Sequence, residues 1–325
     1  MAHPANTLSL VADIGGTNTR VALADGRQVL DGTIRRYANS GFPGLEAVLH
    51  QYIKDEGGVD ARAACVAVAG PVRDGRATMT NLDWTIDKDV LRRATKAENV
   101  AILNDLQAQG HAIGHIDPDL LRPILAGTAA GDHAAKLVIG VGTGFNAAPV
   151  FDTIGGRLVS PSESGHVNLP VRTDADMRLS MHVTTAHGFP SVEDVLSGRG
   201  LEHVYGWLGA EAEDPREALA KDIMAACADG SDDRAVAAAR VFTRFLGTVA
   251  GNLALVQLPF GGVFLCGGVA RAFAPYLHDF GFGEAFRDKG RFSGFMGNFA
   301  VSVVEDDYAA LTGCAAHLAA PNFDI

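Results

Sequence analysis

No G-x-x-x-x-G-K-[ST] phosphate loop occurs among the 325 residues, so any phosphate chemistry must be built from other turns. Cysteine is scarce. Cys65, Cys227, Cys266 and Cys314 stand far apart without a C-x-x-C pair. That spacing argues against a disulfide framework and against the common zinc sites, and their apolar neighbours point to buried, reduced thiols. Positive charge is short as well, with 27 Lys and Arg against 38 Asp and Glu, a formal net charge of -11. A broad nucleic-acid or membrane surface wants a basic face, so neither is expected. A small anion held by local backbone dipoles is still allowed. No apolar run is long enough to span a bilayer, and no basic-then-apolar leader opens the chain, so a cytoplasmic protein is expected. Low-complexity tracts and short repeats are also lacking.

What is present is an ordinary globular composition, 47% hydrophobic and 20% charged, in a length that suits about two domains. The most informative stretch is Asp13-Ile14-Gly15-Gly16-Thr17-Asn18, set between the apolar runs Leu8–Ala12 and Val21–Ala24. Two apolar runs joined by a glycine-rich turn read as a β-hairpin. Glycine lets a ligand approach the backbone, and Thr17 and Asn18 add hydrogen-bonding groups beside it, which suits phosphate oxygens. Asp13, at the strand end, is placed to hold a magnesium ion through water. Arg20, just past the turn, reads as a surface or packing residue.

Strand and helix patterns then alternate: a helix near Gly44–Asp55, a strand at Ala64–Ala69, a helix near Lys88–Thr95 and a strand at Val100–Leu103. That alternation indicates an α/β layer structure. Leu137–Asn146 followed by Ala147–Val150 repeats the first design, with Gly142-Thr143-Gly144 as its turn. The echo reads as a fold duplication in which each half offers one phosphate-binding turn. An amphipathic helix over Arg234–Gln257 leads to the strand Val263–Cys266 and the pair Gly267-Gly268. Two glycines at a strand end admit a flat base, or they simply start a helix.

These turns and the segments between them resemble the bacterial glucokinase family. The resemblance covers nearly the whole chain. It rests on the phosphate motif at 13–18, on Asn104-Asp105, on Glu163-Ser164-Gly165-His166 and on Glu193-Asp194-Val195-Leu196-Ser197-Gly198. It rests also on the adenosine-type segment Gly261–Gly268 and on Asp288-Lys289-Gly290-Arg291-Phe292. The resemblance implies an actin-like, hexokinase-type fold: two ribonuclease-H-like α/β domains flanking a central cleft. The small domain would be 1–112 plus 307–325, and the large one 113–306. It implies ATP with Mg2+ as donor, D-glucose as acceptor and a homodimer. Asp105 would be the catalytic base, and Asn104, Asp105, Glu163, His166 and Glu193 would bind the sugar. Asp13, Gly15, Gly16, Thr17, Asn18, Gly142, Thr143, Gly144, Gly267 and Gly268 would bind the nucleotide, with Asp13 serving the metal.

Plainer roles stand beside these. Asn104 or Asp105 would cap a helix, Glu193 would be a helix N-terminal acid, His166 a strand-end histidine and Trp84 a core residue. Glu163 and His166 as a metal site lack a third ligand nearby. Family relatives with a cysteine-rich zinc motif have no counterpart here, so no structural zinc is expected. Two positions depart from the family pattern, which usually has glycine where this chain has Ser164 and a second glycine near where it has Asn146. Ser164 adds a side chain beside two sugar positions, which leaves a kinase for another hexose as the first rival. The second rival is a sugar sensor that binds without transfer. Related repressors carry an N-terminal DNA-binding domain, for which the start of the motif at Asp13 leaves no room.

Overall fold

The computed structural model describes residues 6–79 and 82–320. Asn81, which resembles part of a family segment near the sugar, lies outside the described residues. The fold is mixed α/β with three sheets among the described residues. The chain divides into two compact units. One holds the described residues of Met1–Pro118, Asp152–Pro161 and Asp306–Ile325; the other holds Asp119–Phe151 and Ser162–Glu305.

The first unit opens with a hairpin, β1 (Ser9–Ile14) and β2 (Asn18–Asp25), extended by β3 (Gln28–Val29) and β4 (Arg35–Ala38). Helix α1 (Leu45–Asp55) leads to β5 (Ala63–Val68), all six of whose residues are buried. Such a run, without polar alternation, is what a strand covered on both faces requires. A small sheet of β6 (Val72–Arg73), β7 (Arg76–Thr78) and β8 (Thr85–Asp87) follows, then α2 (Lys88–Thr95), β9 (Asn99–Asn104) and α3 (Asp105–Ala112). The main sheet runs β3-β2-β1-β5-β9, with β1, β5 and β9 mutually parallel. Strand alternation sorts its side chains between two cores. Leu10, Ala12 and Ile14 join the cluster of Leu49, Tyr52 and Leu91, while Val11 joins Leu103, Ala108 and Leu311. Trp84 is core, as its plainer role required.

The second unit contains β10 (Leu121–Leu125), β11 (Lys136–Val141) and β12 (Phe145–Thr153). Strand β13 (Gly156–Val159) belongs to the first unit. Helices α4 (Asp174–His187), α5 (Gly198–Glu211), α6 (Ala220–Asp229) and α7 (Asp233–Gln257) precede β14 (Val263–Cys266). Then come α8 (Gly268–Phe273), α9 (Phe282–Arg287) and β15 (Val301–Val304), and α10 (Ala309–Leu318) returns to the first unit. The order is β10-β15-β14-β11-β12, with β11, β14 and β15 parallel. In both units, therefore, a hairpin's first strand is followed outward by two parallel strands. Helices α4–α6 have no counterpart in the sequence reading. The Thr173 and Asp176 capping box at the start of α4 was a readable signal for one of them.

The unit boundaries differ from those read from sequence, because 113–118 and 152–161 fall in the first unit rather than in the large domain. Arg157 explains the second transfer. Its guanidinium donates to the carbonyls of Gly110, His111 and Ile113 at the end of α3 and pairs with Asp152 at 2.7 Å. Those carbonyls have no intrahelical partners, so a cation there is favoured.

Helix α10 packs tightly on α3. A Cβ on Gly313 would lie 1.7 Å from the Ala108 carbonyl oxygen, so only glycine permits this approach. Nearby, the His111 and His317 rings meet edge to face with centroids 4.6 Å apart. Burial, then His317 and Arg157, pull the His111 pKa down to about 3, with Asp152 opposing; burial and Lys88 pull His317 down to about 4.

Two expectations follow from this packing. Gly313→Ala should destabilise the protein by roughly 2 kcal/mol or more through a backbone clash. Gly206→Ala, inside α5 with nothing within 4 Å of the added carbon, should stabilise by about 0.5–1 kcal/mol; urea unfolding of both variants checks the contrast. Both histidines stay neutral when folded but titrate near 6.5 when unfolded. Unfolded chains therefore take up protons that folded ones refuse, and stability falls as pH drops from about 6.5 toward 4. Each histidine contributes a slope of about 1.4 kcal/mol per pH unit within that window. The His111→Leu/His317→Leu double variant should lose that part of the slope in urea titrations. A slope equal to wild type would show that the pair takes up protons while folded.

Candidate active site

The first glycine turn sits between paired strands. Asp13 faces Arg20 and Ile14 faces Thr19 in the β1–β2 register, and Gly15 N donates to Asn18 O at 3.0 Å to close the turn. Asn39 braces it from a separate segment. Its backbone N donates to Thr17 O at 2.9 Å, its Nδ2 to Gly15 O at 2.8 Å, and its Oδ1 accepts from Thr19 Oγ1 at 2.8 Å. At 2% exposure, an asparagine has to satisfy its amide this fully. The brace leaves Gly16 and Thr17 exposed. Arg20 is no bystander: its guanidinium pairs with Asp13 at 3.0 Å and lies 5.9 Å over the Tyr308 ring. Burial pushes the Asp13 carboxyl up from its ordinary range, and the Arg20 guanidinium opposes that rise.

Asn104 ends β9 and caps α3. Its Oδ1 accepts from Leu106 N at 2.9 Å and Gln107 N at 3.1 Å, while Gln107 Oε1 accepts from Asn104 N. The capping role is thus real, and it takes up the Asn104 oxygen; its Nδ2 lies 3.4 Å from Gly70 O. Asp105 is the first residue of α3 and is exposed. A carboxylate in the first turn of a helix is favoured by the N-terminal dipole.

In the second unit, Val141 leads into Gly142-Thr143-Gly144, where Gly142 N donates to Gly144 O at 2.9 Å. Glu193 holds what comes next, its Oε2 accepting from Phe145 N at 2.8 Å. A Cβ on Gly144 would stand 2.6 Å from that same oxygen, and one on Gly165 would stand 2.1 Å from Phe145 O. Backbone therefore requires glycine at 165, whereas a side chain at 144 would displace the Glu193 carboxylate from Phe145 N. Glu193 N donates to Gly165 O at 2.9 Å, and Val192 N to Val167 O at 3.0 Å. The structure thus brings together Gly144, the 163–166 segment and Glu193. Glu163 and His166 are exposed, at either end of the short turn Ser164–His166. Ser197 anchors the far end. Its Oγ caps α5 by accepting from Gly200 N and donates to Glu193 O, both at 2.9 Å.

Gly267 has its own local reason. Its φ is +99°, and a Cβ there would lie 2.5 Å from Val141 O, so the parallel neighbour strand dictates it. Gly268 opens α8 with nothing within 4 Å of an added carbon. Among the described residues, no three His, Cys, Asp or Glu side chains gather as a metal site. All four cysteines are buried and none forms a disulfide.

A profile of the family described as Glucokinase matches residues 10–321. The chain belongs to the glucokinase family. A glucokinase from Saccharophagus degradans is 35% identical over 320 residues, covering 95% of this chain and 97% of that protein. One from Caulobacter vibrioides is 36% identical, covering 96% and 95%. The crystal structure of a glucokinase from an Antarctic psychrotroph superposes with a TM-score of 0.85 at 31% identity, covering 96% of this chain and 98% of that one.

The segments read as resembling the family, at 13–18, 104–105, 142–144, 163–166, 193–198, 261–268 and 288–292, all fall inside the matched span. One position that carries the site's backbone escapes a reading of motifs, and another is found there for a different reason. Asn39 lies in an unremarkable stretch, Tyr37-Ala38-Asn39-Ser40, and becomes a brace only when β4 pairs with β2. Glu193 was read for its carboxylate toward a ligand, yet one oxygen of that carboxylate holds protein backbone.

Glu193→Ala should lower stability by about 1–3 kcal/mol, because Phe145 N loses its acceptor in a half-buried place. Glu193→Gln keeps an oxygen for Phe145 N and should stay within about 1 kcal/mol of wild type. Urea unfolding checks the pair, and equal losses would remove the backbone bond from its bracing role.

Proposed function

We propose that this chain is an ATP-dependent glucokinase, transferring the γ-phosphoryl group of MgATP to the 6-hydroxyl of D-glucose to give glucose 6-phosphate and ADP. The observation that carries the reading is the family match from residue 10 to residue 321. We assign the two units to the two ribonuclease-H-like domains of the actin-like class. The protein acts in the cytoplasm as a homodimer in this reading; no described helix is long and apolar enough to cross a membrane.

Phosphoryl transfer passes through a loose transition state, so positioning and charge stabilisation do most of the work. In this reading the turns 15–18 and 142–144 receive the phosphates through the N–H groups left over once Gly15 N and Gly142 N have closed the turns, and Gly267 and Gly268 receive the adenosine. Asp13 serves the water shell of the magnesium that arrives with ATP. Arg20 holds one Asp13 oxygen at 3.0 Å and so opposes the rise that burial imposes on this carboxyl. Glu163, His166, Glu193 and Asn104 bind sugar hydroxyls, with Nδ2 the group Asn104 has to offer. Asp105 takes the proton of the 6-hydroxyl. Its mount at the start of α3 is rigid, since the Asn104 and Gln107 capping box fixes the first turn.

Asp105→Asn tests the chemistry. Glucose should bind within about threefold of wild type, while glucose-dependent ADP release falls by about 10²–10⁴-fold, the range of a lost general base. Turnover within tenfold of wild type would remove Asp105 from that role. A wild type that releases ADP only with another hexose would shift the substrate, and glucose binding without any release would favour the sensor.

A further inference from the structure

Ser164 stands where the resembled pattern usually has glycine and Asn146 near a second such glycine, and the structure joins the two side chains. Asn146 Oδ1 accepts from Ser164 N at 3.0 Å and lies 3.1 Å from Ser164 Oγ. It also accepts from its own neighbour, Ala147 N, at 2.8 Å. On the other side, Asn146 Nδ2 donates to Ser162 O and lies 3.5 Å from Glu163 Oε2. Ser162 Oγ sits 3.1 Å from Asn146 Oδ1 but gives its single hydrogen to Ala147 O at 2.6 Å. The residues before and after Glu163 are both tied to the start of β12.

An amide suits this arrangement because it presents an acceptor and two donors on one planar group. The Ser162 carbonyl only accepts, so it fixes which end of the amide is nitrogen. Glycine at 146 offers neither function, and glycine at 164 keeps only the backbone donor. The Ser164 hydroxyl is directed at Asn146, two residues past Gly144.

We infer that Asn146 and Ser164 are one positioning unit that sets the Glu163 carboxylate for a sugar hydroxyl, with Ser164 acting through Asn146 rather than on the sugar. This rests on the assignment of Glu163 to sugar binding. Selectivity among hexoses then follows Asn146, and Ser164 alone changes it little. Ser164 is tied to Asn146 because the Asn146 amide oxygen is the acceptor for the Ser164 hydroxyl.

A double-mutant cycle decides it, using Asn146→Ala, Ser164→Ala and the pair together in the full chain. Asn146→Ala should raise the KM for glucose roughly tenfold, about 1.4 kcal/mol, with kcat and the KM for ATP within twofold. Ser164→Ala should raise it about threefold, and the double variant should be no worse than Asn146→Ala alone. Asn146→Asp keeps the acceptor but sets a second carboxylate against Ser162 O and Glu163, so it should be at least as poor as Asn146→Ala. Additive effects on KM would overturn the coupling. A fall in kcat alone, or equal rises for glucose and ATP, would overturn the positioning role. The same cycle is read in Tm without sugar, where non-additive shifts are expected and additive shifts would refute the pair. Should the wild type transfer to a different hexose, the glucokinase reading fails, and the KM split with that hexose still tests the unit.

Discussion

A carboxylate oxygen on a backbone N–H organises the second unit. Glu193 Oε2 holds Phe145 N at 2.8 Å, and the geometry around it constrains its neighbours. Gly165 has to lack a side chain, because a Cβ there would meet the Phe145 carbonyl at 2.1 Å, and a Cβ on Gly144 would push that carboxylate oxygen from its place. The segment 163–166 is brought beside the turn because Glu193 N reaches back to Gly165 O. One buried-edge interaction therefore connects a glycine turn, a histidine and two acids that lie up to about fifty residues apart. Leaving such a backbone donor unpaired costs more than an average hydrogen bond contributes, which is why the arrangement is fully tied.

The first unit solves the same problem with different chemistry. Asn39 supplies both donor and acceptor to its turn from a separate segment. A turn that is to expose N–H groups to an anion has to satisfy its other backbone groups inward, and a side chain from elsewhere is the compact way to do so. Loops held like this keep their geometry without a ligand, which lowers the ordering cost of binding. Cleavage or transfer chemistry that depends on placement within a fraction of an ångström benefits most from such bracing.

Much of the fold was legible in the sequence. The helix read at Lys88–Thr95 spans those same residues, and the one read at Arg234–Gln257 starts a single residue earlier. Periodicity and the capping asparagine and aspartates are local signals, so they survive without tertiary context. The hairpin turns were legible because glycine and threonine between apolar runs have few other uses. Helices α4–α6 were passed over: their apolar faces are interrupted by Ala, Gly and charged residues that make sense only against α7. Asp176 illustrates the point, being 1% exposed and paired with Arg244 at 2.5 Å across 68 residues of chain. The unit boundaries were shifted for a similar reason, since a single guanidinium, Arg157, ties 152–161 to the end of α3.

The sequence by itself determined which residue types are at hand: glycines at strand ends, carboxylates after strands and an asparagine ready to cap. Those are properties of neighbours along the chain, set by sterics and backbone hydrogen bonding over a few residues. Tertiary structure alone decided what each polar group spends its bonds on. Asn104 gives its oxygen to a helix, Arg20 its guanidinium to Asp13, Glu193 one oxygen to Phe145, and Asn146 its amide to the serines flanking Glu163. Hydrogen-bond partners are chosen by distance in space, and residues 39, 146 and 193 meet theirs only after the sheets have formed.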